Sequence, residues 1–315
     1  MREYAEPFGV KVRTRGRRRV KRPKAVSFKH GGGVRQDLRL TRREFLKWAG
    51  AAAAVGVGGV SAYGGLVEAW DYEVTETVVK IKDLPGAFEG FRIAQLSDVH
   101  HGRLVSIEEV RRVVGLANAA RADMVALTGD YTTALPEYVE PCAEALGELK
   151  APEGVWAVLG NHDHKTGGPL TRRALARRGI QVLTNENTEL RRGADSLRLA
   201  GVDDWGWGKA DFPRALRGVD TSRPSILLSH EPMALDVPET RGVSLIVSGH
   251  THGGQVVLPV VGAPAAYVWK HLKYLRGLYE SGDTQLYVSR GTGVIGLPLR
   301  IGARPEVAVL RLQRA

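Results

Sequence analysis

A single cysteine, Cys142, stands in the 315 residues. No intramolecular disulfide framework is therefore available, and no zinc site built from several thiolates. An excess of either charge is also missing once the leader is set aside. The chain carries 45 Lys/Arg and 34 Asp/Glu; residues 1–47 hold 16 and 4 of these, which leaves 29 and 30 for the rest. The net charge of +11 is thus a property of the leader, and the body is electrically neutral. A long, strongly apolar run is lacking too. The one uncharged stretch of spanning length, Trp48 to Val67, contains six Gly and six Ala in 20 residues, weakly apolar for a committed transmembrane helix. At 43% hydrophobic and 25% charged, the composition excludes a wholly disordered or fibrous protein.

What is present begins with an address. Residues 1–40 are basic and irregular, Thr41 to Lys47 is a short charged segment, and the mild apolar run follows. A basic region, a weak hydrophobic region and small residues toward its end describe an export signal. Arg42-Arg43 followed by Phe45-Leu46-Lys47 resembles the twin-arginine signal, which exports folded proteins and implies the Tat translocase as a partner. Val60-Ser61-Ala62 and Val67-Glu68-Ala69 both suit cleavage, and an uncleaved anchor is the alternative. The expected organisation is a disordered extension over 1–40, a signal over 41–70 and a catalytic domain over 71–315. The basic run between Lys11 and Lys24 has no aromatic residue to stack on bases, so no nucleic-acid partner is expected.

From Asp71 the pattern is α/β. Strands are expected at Val74–Ile81, Phe91–Leu96, Asp123–Thr128, Val155–Leu159, Ser225–Leu228 and Ser244–Val247. Helices are expected over 106–120, capped by Ser106 with Glu109 three positions on, and over 137–149. Five of the strands stop at a Gly or Ser and deliver a His, Asp or Asn: Asp98 and His100, Asp130, Asn161 and His162, His230, and His250 and His252. Seven of the nine histidines lie at these strand ends, with only His30 and His271 elsewhere. An open α/β sheet gathers its site beyond the carboxyl ends of its strands in this way. Carboxylate, imidazole and amide ligands without sulfur suit Mn, Fe or Zn.

Taken in order, Asp98-Val99-His100, Gly129-Asp130, Gly160-Asn161-His162-Asp163, Ser229-His230 and Gly249-His250-Thr251-His252 resemble the calcineurin-like metallophosphoesterase signature. Gly249 to Gln255 and the ending from Ser289 to Glu306 resemble the bacterial YkuE/YaeI-like branch with a twin-arginine leader. The resemblance implies a four-layer αββα sandwich. It also implies two divalent metal ions, one held by Asp98, His100, Asp130 and His252, the other by Asp130, Asn161, His230 and His250. Such a pair can share one water, lower its pKa and drive in-line attack on phosphorus. His162 would assist the leaving oxygen.

The expected function is hydrolysis of a phosphodiester or pyrophosphate bond at the membrane's outer face or in the cell envelope. The family analogy points to a lipid-linked substrate. A phosphomonoesterase or nucleotidase and a non-catalytic metal-binding module are the alternatives. Around the site, Asp163 is expected to brace a turn or orient His162, and His101 and His164 either touch substrate or lie exposed. Asp203 to Gly208 is a rim or a plain turn. Arg290 and Arg300 are phosphate candidates. Tyr267 to Arg276 mixes aromatic, aliphatic and basic residues and reads as a membrane-interface segment or an amphipathic core cover.

Overall fold

A computed structural model describes residues 42–133, 135–220, 222–264, 266 and 273–315. The basic extension over 1–40 and most of the mixed segment Tyr267–Arg276 lie outside the described residues. The chain divides into units 1–49 and 50–315, and the architecture below is that of the second. Helix α1 runs Arg42–Leu66, and no described helix is long and apolar enough to cross a membrane.

The strands in chain order are β1 (Glu73–Ile81), β2 (Arg92–Leu96), β3 (Met124–Leu127), β4 (Val155–Ala157), β5 (Gln181–Val182) and β6 (Glu186–Arg192). They continue as β7 (Asp195–Gly201), β8 (Ser225–Leu228), β9 (Leu245–Ser248), β10 (Gly277–Ser281), β11 (Thr284–Val288) and β12 (Glu306–Arg314). One sheet has the order β1-β12-β2-β3-β4-β5, the other β10-β11-β9-β8-β7-β6. Within the first, β2 to β5 are parallel, as β7, β8, β9 and β11 are in the second.

Three apolar layers separate four layers of structure. Helices α2 (Ile107–Ala119), α3 (Val139–Leu146) and α4 (Asn161–Arg177) cover the outer face of the first sheet through Val110, Val114, Cys142, Leu146 and Leu175. Ile93, Met124, Val158, Leu199, Ile226, Val247 and Leu310 fill the space between the sheets. Ala200, Leu227, Ile246 and Leu286 bury the far face of the second sheet against Phe212, Leu235 and Tyr274. This is the expected αββα arrangement. Among the described residues its last layer is thin, consisting of the four-residue helix α5 (Phe212–Ala215) and 3-10 turns at Pro232–Asp236 and Pro238–Thr240.

Gln95, fully buried on β2, ties the two sheets together near the site. Its amide donates to Thr128 Oγ1 at 2.9 Å and to the carbonyl of Ser248, at the end of β9, at 2.8 Å. The packed body also begins upstream of Asp71. The Gly64 carbonyl accepts from Arg300 N at 3.1 Å, the buried Glu68 carboxylate accepts from Ala303 N at 3.1 Å, and Ala69 is fully buried. A body cut at Asp71 forfeits these contacts.

Candidate metal centre

The ends of β2, β3 and β4 lie side by side in one sheet and those of β8 and β9 in the other, so five strand ends open on one edge of the sandwich. The backbone turns sharply there. Asp98, His100, Asp130, His250 and His252 all have left-handed φ, between 51° and 73°. Each such non-glycine residue costs on the order of 1–3 kcal/mol and persists only where its surroundings fix it. Hydrogen bonds supply that fixing: Asp98 N to Gly129 O and His100 N to Asp130 O at 3.0 Å, and His250 N to both carboxylate oxygens of Asp98 at 3.1 and 2.9 Å. Gly129, at φ 94°, has no alternative residue, because a Cβ would come within 2.6 Å of Gly160 N and 2.7 Å of His230 Nδ1. A Cβ at Gly249 would overlap the Ser97 hydroxyl.

These turns bring all seven candidate ligands together. Asp98, His100 and His252 converge, as do Asp130, His230 and His250, and each set places its ligand atoms within 4.8 Å of one another. Asp130 Oδ2 reaches both sets, 3.6 Å from His100 Nε2 and 3.3 Å from His230 Nε2. Further close approaches are His252 Nε2 to Asp98 Oδ1 at 3.5 Å, His100 Nε2 to His252 Nε2 at 3.1 Å, and His250 Nδ1 to His230 Nε2 at 3.1 Å.

The donor set fits cations. Burial pushes His100 down to about 3 and His250 to about 4, and holds His252 well below the usual range. These rings are therefore neutral, as metal ligands must be. Burial alone would raise Asp130, but the facing His230 outweighs it and keeps the carboxylate ionised, while Asp130 in turn raises His230 against its own burial. His230 Nδ1 lies 2.7 Å from the Thr128 carbonyl and donates to it, which aims Nε2 at the centre. The Asn161 amide lies among the same atoms. Its amide oxygen faces only acceptors, with His230 Nε2 at 3.2 Å and His250 Nδ1 and Asp130 Oδ2 at 3.3 Å. Converging lone pairs repel unless a cation lies among them; the flipped amide would donate to them instead.

The flanking residues divide. His162 stands over the centre: its backbone N–H donates to Asp130 Oδ1 at 2.8 Å, its ring meets His100 edge-on at 4.9 Å, and its buried Nδ1 has no hydrogen-bond partner among the described residues. Asp163 braces the turn, accepting from Gly160 N, Asp130 N and Tyr131 N at 2.8–2.9 Å. Burial, then repulsion from Asp130, lifts this carboxyl to about 7. His101 is buried against Tyr138 with Nδ1 on the Val105 carbonyl at 3.0 Å, so it is structural and not exposed. His164 pairs with Asp203 at 2.7 Å, which raises its pKa and pins the 203–208 loop to α4.

Neither arginine offers a fork to phosphate. Arg290 is held by Glu306, with Nη2 to Oε2 at 2.6 Å, and by Glu73. Arg300 is fully buried, and its guanidinium donates to the carbonyls of Gly293, Ala303, Arg290, Gly291 and His252. Burial pushes it down to about 10. Carbonyl dipoles thus replace a counter-ion, and one side chain locks the His252 turn to the segment after β11. Arg300→Met is expected to lower stability by about 3 kcal/mol or more, since several buried carbonyls lose their donors. A urea midpoint that falls at constant m would record it, and an unchanged midpoint would refute it.

Two residues near the centre escape a sequence reading. Lys165 sits one helical turn after Asn161, with Nζ 3.1 Å from that amide and 4.6 Å from the Trp207 ring centre. Glu231, next to His230, faces the 203–208 loop and accepts from Trp205 N at 3.2 and 3.3 Å. The i, i+4 spacing marks Lys165 in retrospect, but nothing in the sequence places Trp207 beside it.

Residues 91–254 match the family model described as calcineurin-like phosphoesterase. The chain is 34% identical to the uncharacterized metallophosphoesterase YkuE of Bacillus subtilis, over 87% of this chain and 98% of that one. It is 30% identical to the phosphodiesterase YaeI of Escherichia coli, over 87% and 99%. It is also 32% identical to a transmembrane protein with metallophosphoesterase domain of Danio rerio, over 81% of this chain and 61% of that one. Among solved structures, TT1561 of Thermus thermophilus aligns with 64% of this chain and 90% of its own, at 16% identity and a TM-score of 0.44. With the family signature lying on the residues that converge at the strand ends, the chain belongs to the calcineurin-like phosphoesterases, metal-dependent hydrolases of phosphoric esters.

Proposed function

We propose that the chain hydrolyses a phosphodiester or pyrophosphate bond at two divalent metal ions. Asp98, His100, Asp130 and His252 would hold one, and Asp130, Asn161, His230 and His250 the other. The observation that carries this reading is the single Asp130 carboxylate shared between two converging ligand sets. Ions bound there would acidify a water and screen the phosphate oxygens. The chain's own residues do the rest. Burial keeps the His100 and His250 imidazoles neutral, the Thr128 carbonyl orients His230, and the backbone bonds to Asp98 and Asp163 hold the turns rigid. His162 would hydrogen-bond the departing oxygen. A relative named as a phosphodiesterase supports the diester class. Mn, Fe and Zn all suit the ligand types.

The full chain, stripped and reconstituted with each metal in turn, tests this. Turnover of bis(4-nitrophenyl) phosphate or an alkyl pyrophosphate should exceed that of 4-nitrophenyl phosphate by about tenfold or more in kcat/KM. Preference for the monoester with every metal would favour a phosphomonoesterase. Metal binding without turnover would leave an interaction module.

We further propose export by the twin-arginine route, which would put the enzyme beside envelope and lipid-linked phosphodiesters. The support is the arginine pair ahead of a weakly apolar run. Arg42→Lys with Arg43→Lys should leave the protein in the cytoplasm, and normal export of the double variant would count against the route.

A further inference from the structure

A cleft of about 450 Å³ opens directly beside the centre, with Asn161 and His250 at its inner end. Trp205, Gly206, Trp207, Glu231, Pro232 and Met233 complete its lining. Both indoles are more than half exposed, at 52% and 60%. Two large apolar side chains left exposed in one cleft are costly unless something covers them. They are not loose. Asp203 accepts from Lys209 N at 2.9 Å and pairs with His164, its own N–H donates to Asn185 at 3.0 Å, and Asp204 accepts from Trp207 N at 2.5 Å. The loop therefore presents its indoles in a fixed arrangement, which is how a subsite is built.

Apart from the two indole N–H groups, the wall is poor in hydrogen-bonding groups. The Glu231 carboxylate is taken by Trp205 N, and proline and methionine side chains offer no donors. Asn161 and His250 belong to the ligand set. At the inner end, the Lys165 ammonium lies 3.1 Å from the Asn161 amide. The ammonium supplies a positive charge there, which suits an anionic oxygen.

We propose that this cleft receives the apolar, hydrogen-bond-poor substituent of the phosphoester, with Lys165 on a phosphoryl oxygen at its inner end. This rests on the phosphodiesterase reading above and adds to it a specificity site: the preferred substrate carries an alkyl or acyl chain next to the scissile phosphate. Covering the indoles favours longer chains, whereas the lysine acts equally on all of them.

The test is a series of 4-nitrophenyl alkyl phosphates, methyl to octyl, with the metal-loaded full chain. KM should fall by roughly twofold to fourfold per methylene until the cleft is filled. In Trp207→Ala and in Trp205→Ala that dependence should flatten, so that the octyl-to-methyl ratio of kcat/KM drops at least about tenfold. Lys165→Met should weaken every ester by the same factor and leave the ratio intact. A binding readout separates this from the function itself: titration with octylphosphonate and methylphosphonate, followed by tryptophan fluorescence, with and without metal. Tighter octylphosphonate binding that is lost in Trp207→Ala, in a chain that cleaves no diester, would uphold the cleft and sink the phosphodiesterase reading. Diester turnover with no chain-length dependence would overturn the cleft, as would adenosine monophosphate binding more tightly than octylphosphonate.

Discussion

Asp130→Asn is expected to abolish turnover, lowering kcat by at least about a thousandfold, and to remove bound metal from both positions. The magnitude follows from the several kcal/mol of transition-state stabilisation that ions in such a centre supply. The geometry makes this residue different from its neighbours. Oδ2 alone approaches both ligand sets, 3.6 Å from His100 Nε2 and 3.3 Å from His230 Nε2, while Oδ1 is already occupied by the His162 N–H at 2.8 Å. An asparagine can keep that N–H bond through its amide oxygen. Its NH₂ group would then point into the converging imidazoles, bringing a donor and no charge where two cations would need an acceptor. Asn161 gives the contrast, since its amide faces only the His230–His250 side. Asn161→Ala should therefore weaken one metal and spare the other. Elemental analysis of both variants decides the matter. Two tightly bound metals in Asp130→Asn would remove the shared carboxylate from the scheme.

Much of this centre was legible because each ligand follows a short apolar run and a Gly or Ser. β2, β3, β4, β8 and β9 are buried along almost their whole length, so their hydrophobicity marks them plainly. The shift from apolar run to His or Asp marks where they end. The left-handed backbone at Asp98, His100, Asp130, His250 and His252 had no such signature. Asp and His accept a positive φ more readily than most side chains but adopt it rarely, and here tertiary hydrogen bonds fix it. β6 and β7 were equally hidden, because Glu186–Arg192 is mostly polar and half-exposed. β12 pairs in parallel with β1 and antiparallel with β2 from the far end of the chain, a contact no local pattern reports. The flanking side chains show the same limit. Arg300 and His101 have suitable chemistry in the right stretch of chain, but carbonyls contributed by other loops decide where their donors go. Lys165 and the Trp205–Trp207 pair became a unit only when the loop after β7 folded back against α4.

His162→Gln should keep both metals and slow turnover by about 10² to 10⁴, the usual contribution of a positioned acid–base group. The ring is set by the backbone bond from its N–H to Asp130 and by its edge contact with His100. Burial lowers the pKa of this histidine against the pull of Asp130, yet the neutral ring still carries one N–H to donate. A second role is open to it on distance alone, because its ligand atom lies within 4.8 Å of those of His100 and Asp130. Leaving-group chemistry separates the two roles. If His162 helps the oxygen depart, the loss should be largest for an alkoxide and shrink for a nitrophenolate, which needs little protonation. Equal slowing across the series with both metals retained would place the ring on the non-departing phosphoryl oxygens instead. Loss of one metal from His162→Gln would make it a ligand, and the division of the seven other residues between two ions would have to be redrawn.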